Sequence, residues 1–258
     1  MFVDTHCHLD DEKLKNDLDA VVRDFKAKGV GIVINMGCDA PTSELVKSQA
    51  EKYDGVYFAA GIHPMDVKNA EPTDLDKIAE LAKHDKCVAI GEIGLDYYWD
   101  KTFKERQKEF FVRQLCLAKK AGLPVNIHVR DAMGDALDIL KANKNELTFG
   151  GVMHCFSGSV ETAKELLKLG FYISFGGTLT FKNARSILEV AKVVPKDRIL
   201  TETDSPYLAP EPVRGTVNSP KNIPFIAARL AEIRGETTEE TAKAVYDNTL
   251  ALFKKIRA

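Results

Sequence analysis

Six side chains of the kinds that bind divalent metal ions each stand at or just after the end of a short apolar run. The six are His6, His8, Glu92, His128, His154 and Asp204. Imidazole nitrogens and carboxylate oxygens are the donors that zinc, manganese and iron use in proteins. In a barrel of parallel strands, residues at the carboxyl ends of the strands converge on one face. The pattern therefore predicts a metal site built from residues far apart in sequence.

His6 and His8, on either side of Cys7, supply two of the expected ligands of one metal ion. In an extended chain, residues two apart point to the same side, so both imidazoles face one way and Cys7 faces the other. The alternative is that both histidines are polar residues at the start of a loop.

Glu92 ends the run 88–92, where an unpaired buried carboxylate is costly, and sharing it between two cations removes that cost.

His128 and His154 end two successive strand-like runs. Either one alone is better explained as a hydrogen-bonded core histidine, but equivalent positions in successive units favour a shared role as ligands. Four imidazoles favour Zn²⁺, Mn²⁺ or iron over Mg²⁺, which prefers oxygen donors. We expect two divalent ions, the first bound by His6, His8, Glu92 and Asp204 and the second by Glu92, His128 and His154.

Two ions roughly 3.5–4 Å apart can polarise an acyl or phosphoryl oxygen and supply hydroxide near neutral pH. Asp204 is the expected general base, which orients the attacking water and accepts its proton. Glu92 belongs to the catalytic centre as the bridging carboxylate. Glu202 has the same strand parity as Asp204, which predicts an inward position behind a ligand histidine. The alternative for Glu202 is a purely structural carboxylate.

The elements that must position these residues alternate between strand-like and helix-like patterns along the whole chain. Eight runs rich in Val and Ile are apolar on both faces, as in a parallel sheet covered on both sides. The predicted strands are 2–6, 31–35, 56–61, 88–92, 124–128, 151–155, 171–175 and 198–203. Amphipathic stretches such as 101–121 predict helices between them, and two further helices are predicted at 223–234 and 239–256.

Repeated βα units over 258 residues predict an α/β fold of the (β/α)₈ TIM-barrel type, with residues 1–258 as one domain. A doubly wound open sheet is the competing architecture. The predicted ligands lie on the first, fourth, fifth, sixth and eighth strands, and only a closed ring brings these strand ends together easily.

Charge, apolar runs and cysteine pattern indicate which kinds of partner the protein can bind and in which compartment it is expected. The chain has 36 basic and 38 acidic residues, so it has no overall attraction to nucleic acid or to an anionic membrane. No run approaches the roughly 18 apolar residues of a membrane span. The five cysteines form no CxxC motif, which predicts reduced thiols in a cytoplasmic protein. Nothing in the sequence indicates an obligate protein partner.

Five sequence blocks that contain the candidate ligands resemble the TatD family of metal-dependent deoxyribonucleases, a branch of the amidohydrolase superfamily. The blocks are DTHCHL (4–9), GEIGLDY (91–97), IHVRDA (127–132), MHCFSG (153–158) and ETDSPYL (202–208). The resemblance implies a TIM-type barrel with a two-metal centre at the six residues named above. It also implies Mg²⁺-supported hydrolysis of DNA phosphodiester bonds, often from the 3′ end.

The resemblance further implies a set of substrate contacts. His63 looks like a family histidine that contacts the substrate phosphate without binding metal, and its alternative is a structural role. For Tyr97 and Phe156 the alternative to a substrate contact is packing, and for Arg130 and Arg214 it is an ordinary surface position. The remaining expected contacts are Asp96 and Tyr97 in the cleft, Arg130 and Arg214 on phosphate oxygens, and Phe156 on a nucleobase.

Two departures from the family pattern concern the substrate. Val129 stands where the family usually has serine, and the loop after Arg214 carries fewer basic residues. Fewer phosphate contacts weaken the counterion release that drives binding to nucleic acid. We therefore expect a deoxyribonuclease of the 3′–5′ exonuclease type that acts on single-stranded ends. The alternatives are a hydrolase of an amide, ester or lactone with the same centre, and a metal-binding scaffold, which the presence of Asp204 disfavours.

Overall fold

The fold is built on an eight-stranded parallel sheet in which the strands follow one another in sequence order. The computed structural model describes residues 1–257, so Ala258, the last residue of the predicted domain, lies outside the described residues. The (β/α)₈ barrel prediction is confirmed, and every predicted strand overlaps an observed one. The strands are β1 (Phe2–Cys7), β2 (Val30–Met36), β3 (Val56–Ala60), β4 (Cys87–Asp96), β5 (Val125–Arg130), β6 (Gly151–Met153), β7 (Phe171–Phe175) and β8 (Ile199–Thr201).

In residues 1–257, ten α-helices connect the strands and follow the last one. They are α1 (Glu12–Lys15), α2 (Leu18–Ala27), α3 (Ala40–Lys52), α4 (Asp74–Leu81), α5 (Lys104–Ala121), α6 (Met133–Ala142), α7 (Val160–Lys168), α8 (Ser186–Val193), α9 (Ile223–Arg234) and α10 (Thr238–Leu252). The predicted helix 223–234 is found unchanged. Helix α5 begins three residues later than predicted, because the Asp100 carboxylate accepts hydrogen bonds from Thr102 in a local turn. Within residues 1–257, none of the helices has the length and apolar character needed to cross a bilayer.

Backbone hydrogen bonds between the segment after β8 and the end of β1 close the ring where the candidate ligands lie. The Asp204 N–H donates to the His6 carbonyl at 2.9 Å, and the His8 N–H donates to the Ser205 carbonyl at 2.7 Å. This seam places the first and last ligands of the sequence side by side.

Two irregularities in strand pairing lie at the candidate ligands. Between Ile90 and Ile93 the pairing of β4 with β5 shifts by one residue, and the pairing of β1 with β2 also shifts in the segment that contains His6. Such bulges change the direction in which a side chain points. Strand β4 continues to Asp96, so Glu92 lies inside it, and the expectation that this strand ends at Glu92 was wrong.

Candidate metal centre

The carboxylate of Glu92 lies at the centre of the site, with two imidazoles close to each oxygen. Its Oε1 lies 2.9 Å from Nδ1 of His128 and 3.0 Å from Nε2 of His154. Its Oε2 lies 3.4 Å from Nε2 of His6 and 3.5 Å from Nε2 of His8. The side chain is only 4% exposed, so its charge needs compensation from the surrounding protein or from bound cations.

The first group of donors consists of Nε2 of His6, Nε2 of His8, Oε2 of Glu92 and Oδ1 of Asp204. The separations of the two imidazole nitrogens from each other and from the two carboxylate oxygens run from 3.2 Å between the imidazoles to 3.7 Å between His6 and Asp204. In a tetrahedral site with bonds of about 2.0–2.1 Å, neighbouring donors lie about 3.3–3.4 Å apart. The donor atoms of this group therefore fit a divalent cation without a large rearrangement.

The second group of donors uses the other oxygen of Glu92. Nδ1 of His128 and Nε2 of His154 lie 3.2 Å from each other and both lie within 3.0 Å of Oε1. Nε2 of His63 lies farther from the same oxygen, at 3.9 Å. Three close donors leave room for a substrate or solvent oxygen, as in catalytic rather than structural sites.

Each imidazole has a second contact through its other nitrogen, and this contact sets the orientation of the ring. Of these partners, the sequence indicated only Glu202 as an orienting group. Asn126 was missed, although it lies two residues before His128 and so shares its strand face. The contacts are His6 Nδ1 with Asn126 Oδ1 at 3.1 Å, His8 Nδ1 with Cys38 Sγ at 3.8 Å, His128 Nε2 with Asp96 Oδ2 at 3.1 Å, and His154 Nδ1 with Glu202 Oε1 at 3.3 Å.

We expect Glu202→Gln to weaken metal binding by about 10–100-fold, because His154 loses the carboxylate that orients its ring and raises its basicity. The glutamine retains an oxygen for the Cys155 N–H, so the fold is expected to persist. Competition with a fluorescent chelator measures the affinity. Glu189→Gln, an exposed change on α8, is the control. An affinity equal to that of the unmodified protein would contradict this role.

The two carboxylates in the donor groups are held in the ionised form. Burial alone would raise the pKa of Glu92, but the charges of His6 and His154 hold it well below its usual value. Burial would likewise raise the pKa of Asp204, but the hydrogen bond with His8 and the charges of His154, His6 and His8 together outweigh burial and leave it lowered. Both groups are therefore negative at neutral pH and suited to cations.

His63 is a neutral hydrogen-bond donor at the edge of the donor groups. Burial lowers its pKa to about 3. Its Nδ1 accepts a hydrogen bond from the Met65 N–H at 3.2 Å, so the proton of the ring lies on Nε2. Nε2 of His63 lies 3.9 Å from Oε1 of Glu92, the oxygen that belongs to the second group of donors.

Two cavities adjoin the donor groups. The tryptophan cavity, of about 600 Å³, is lined by Trp99, Asp10 and Asp11 in addition to the site residues. The arginine cavity, of about 460 Å³, is lined by Arg185 and Phe181. The two cavities share a common boundary made of His128, Arg130, His154, Asp204 and Leu208.

Comparison with known proteins identifies the family. A family model described as "TatD related DNase" matches residues 3–254. The chain belongs to the TatD family. This TatD protein is 46% identical over 254 residues to the uncharacterized metal-dependent hydrolase YabD of Bacillus subtilis, a match that covers 98% of this chain and 99% of YabD.

A second relative and a crystal structure place the whole TatD chain in the same family. It is 41% identical to the uncharacterized metal-dependent hydrolase YcfH of Escherichia coli, over 97% of this chain and 95% of YcfH. The crystal structure of YjjV, a TatD homologue from Escherichia coli, matches with a TM-score of 0.93 at 34% identity and covers 98% of both chains. The predicted resemblance is confirmed, and the protein is a metal-dependent hydrolase of the TatD family.

The remaining positions that the TatD resemblance implied are divided between the cavities and the surrounding structure. Arg130 and Asp96 line the tryptophan cavity. Phe156 lines the arginine cavity but is almost completely buried, so it offers little surface for a nucleobase. Arg214 is exposed, and its guanidinium lies 3.4 Å from the ring centre of Phe181. Tyr97 packs against the core, and its hydroxyl donates to Asp135 Oδ2 at 2.8 Å.

Tyr97→Phe is expected to leave kcat/KM of this TatD protein unchanged while reducing the free energy of unfolding by about 1 kcal/mol. The reason is that the substitution removes only the hydrogen bond to Asp135. Urea denaturation and hydrolysis assays of the same preparation measure both quantities. A loss of kcat/KM with unchanged stability would show instead that the hydroxyl acts in the cleft.

Proposed function

We propose that this protein is a deoxyribonuclease that removes nucleotides from single-stranded ends in the 3′–5′ direction. The observation that carries the choice of a phosphodiester is the position of Arg130. It lies on the boundary of both cavities, two residues after His128, and has no carboxylate within 4.0 Å among residues 1–257. A free guanidinium beside a metal centre is suited to bidentate contact with phosphate oxygens.

The two donor groups would hold two divalent cations that share Glu92. The buried carboxylate and its four imidazoles have the composition and spacing that such ions require. When bound, the ions polarise a phosphoryl oxygen and lower the pKa of water. Imidazole donors favour Zn²⁺ or Mn²⁺, although Mg²⁺ supports nucleases widely, so metal analysis of the purified protein belongs with the activity test.

The side chains around the centre have separate roles in this proposal. Asp204 is ionised and lines both cavities, so its carboxylate can accept the proton of an attacking water. Its backbone is held in the left-handed region, with φ of 54°, by the hydrogen bond to the His6 carbonyl. His63 donates its Nε2–H to a phosphate oxygen, and Arg130 offsets the charge that builds on the phosphate.

Purified protein with Mn²⁺ or Mg²⁺ tests the proposal on single-stranded DNA labelled at one end or the other. The 3′-labelled strand is expected to release labelled mononucleotide first, and the 5′-labelled strand is expected to shorten stepwise. A panel of amides, esters and lactones tests the acyl alternative with the same enzyme. Turnover of an acyl substrate without nucleotide release would overturn the nuclease proposal.

We also propose that the protein acts in the cytoplasm without an obligate protein partner. All five cysteines carry free thiols, which is typical of a reducing compartment. Burial raises the pKa of Cys87 to about 12 and that of Cys38 to about 11, so these thiols stay protonated and unreactive.

A further inference from the structure

The two cavities beside the metal centre carry opposite charges beyond their shared boundary. The tryptophan cavity adds four carboxylates, of which Glu92 and Asp96 contact the ligand histidines and Asp10 and Asp11 lie farther out, and its one arginine is the shared Arg130. The arginine cavity adds Arg185 and no carboxylate besides Asp204. A chain of phosphates that crosses the centre is therefore attracted on one side and repelled on the other.

The tryptophan cavity offers an aromatic surface at its rim. Trp99 is 67% exposed and Tyr98 is 51% exposed, with ring centres 4.8 Å apart at nearly a right angle. The Arg130 guanidinium lies 3.7 Å from the ring centre of Tyr98 and 5.4 Å from that of Trp99. Exposed rings beside an arginine provide a surface on which a nucleobase can stack.

The acidic wall of the same cavity provides hydrogen-bond acceptors. Oδ1 of Asp10 is buried without a hydrogen-bond partner among residues 1–257. Oδ2 of Asp11 accepts a hydrogen bond from the Tyr207 hydroxyl at 2.9 Å. Carboxylates accept from a sugar hydroxyl, whereas a second phosphate placed against them would be repelled. The wall therefore suits the unphosphorylated end of a strand.

The arginine cavity continues the path with positive charge. Arg185 lines it, and Arg214 lies over Phe181 in the same wall. Neither arginine has a carboxylate within 4.0 Å among residues 1–257, so both are free to contact phosphates. Phe181 lines this cavity, so an arginine lies against an aromatic ring beside each of the two cavities.

We propose that the terminal nucleotide of a single DNA strand occupies the tryptophan cavity and that the rest of the strand leaves through the arginine cavity. The phosphate to be cut then lies at the shared boundary, against Arg130. This assignment rests on the proposed nuclease function and adds which part of the substrate each cavity binds. It requires a free end that carries a hydroxyl group, which is the 3′ end in the proposed direction.

The single tryptophan of the chain makes the assignment measurable without catalysis, because Trp99 is the only source of indole fluorescence. The probes are phosphorothioate-linked oligothymidylates, which resist hydrolysis, titrated into the full-length protein in Ca²⁺. One linear strand ends in a 3′-hydroxyl, a second ends in a 3′-phosphate, and a third is circular. The first is expected to quench Trp99, the second to bind about tenfold or more weakly, and the circle to leave Trp99 unquenched.

Variants separate the two cavities. Asp11→Asn is expected to restore binding of the 3′-phosphate strand, and asparagine can still cap α1 as Asp11 does. Arg185→Gln and Arg214→Gln are each expected to reduce the dependence of log K on log salt by about 0.7, the value for one phosphate contact on a single strand. Maximal quenching of Trp99 is expected to stay the same in both. Arg23→Gln, an exposed change on α2, is the charge-matched control.

The outcomes distinguish this assignment from the nuclease proposal. Equal quenching by the circle or by the 3′-phosphate strand would overturn the assignment, even if labelled DNA still releases nucleotides. Quenching specific for the 3′-hydroxyl strand without nucleotide release would support the assignment and overturn the nuclease activity. Absence of both quenching and release would overturn both proposals.

Discussion

Glu92→Gln is expected to abolish hydrolysis, with a loss of at least about 10³-fold, equivalent to about 4 kcal/mol in the activation barrier. The same variant is expected to lose metal from both donor groups. The reason is that the two Glu92 oxygens face different pairs of imidazoles, at 2.9–3.0 Å and 3.4–3.5 Å. A neutral amide supplies one weak oxygen donor and no charge to either group.

Metal content after gel filtration and the initial rate of hydrolysis together test this expectation. Glu161→Gln, on the exposed side of α7, controls for the loss of one carboxylate. Glu92→Asp is a second variant, which retains the charge but is one methylene shorter, and it is expected to keep part of the metal. Wild-type metal content in Glu92→Gln would show that the carboxylate does not bridge two cations.

Asp204→Asn is expected to lower the turnover rate by about 10²–10⁴-fold, the usual contribution of a general base, while most of the metal stays bound. Asparagine retains an oxygen toward the cation, and His6, His8 and Glu92 remain in the first donor group. It cannot accept a proton. Single-turnover rates and metal analysis of one preparation separate the two effects.

The control for this second variant is Asp138→Asn, an exposed change on α6. Turnover equal to the wild-type rate in Asp204→Asn would remove Asp204 as the base. Loss of metal together with activity would instead assign Asp204 the role of a ligand alone. Comparison with Glu92→Gln therefore separates a defect in metal binding from a defect in proton transfer.

The position of the ligands could be predicted from local sequence because it follows from strand periodicity. His6 and His128 lie within the runs that form β1 and β5, and His154 directly follows β6. Strand ends on one face of a parallel barrel converge whatever the intervening helices are. Residue types and strand parity were therefore sufficient to bring His6, His8, His128 and His154 together.

The side chains around the β4 end were not predictable in the same way. The bulge between Ile90 and Ile93 shifts the register of β4 against β5, and strand periodicity alone does not predict such a shift. Tyr97 follows the inward-facing Asp96 and packs toward Asp135, while Trp99 reaches the rim of the cavity. The sequence left a cleft position and a packing role open for Tyr97, and the packing role is the one observed. Trp99 was not considered.

The barrel and the chemical nature of the donor groups could be predicted from the amino-acid sequence, because these depend on local periodicity and on residue type. The group that orients each imidazole and the division of charge between the two cavities became visible in the folded chain alone. Those contacts join residues such as His6 and Asn126 across 120 positions. Their formation depends on strand register and loop paths, which local patterns do not encode.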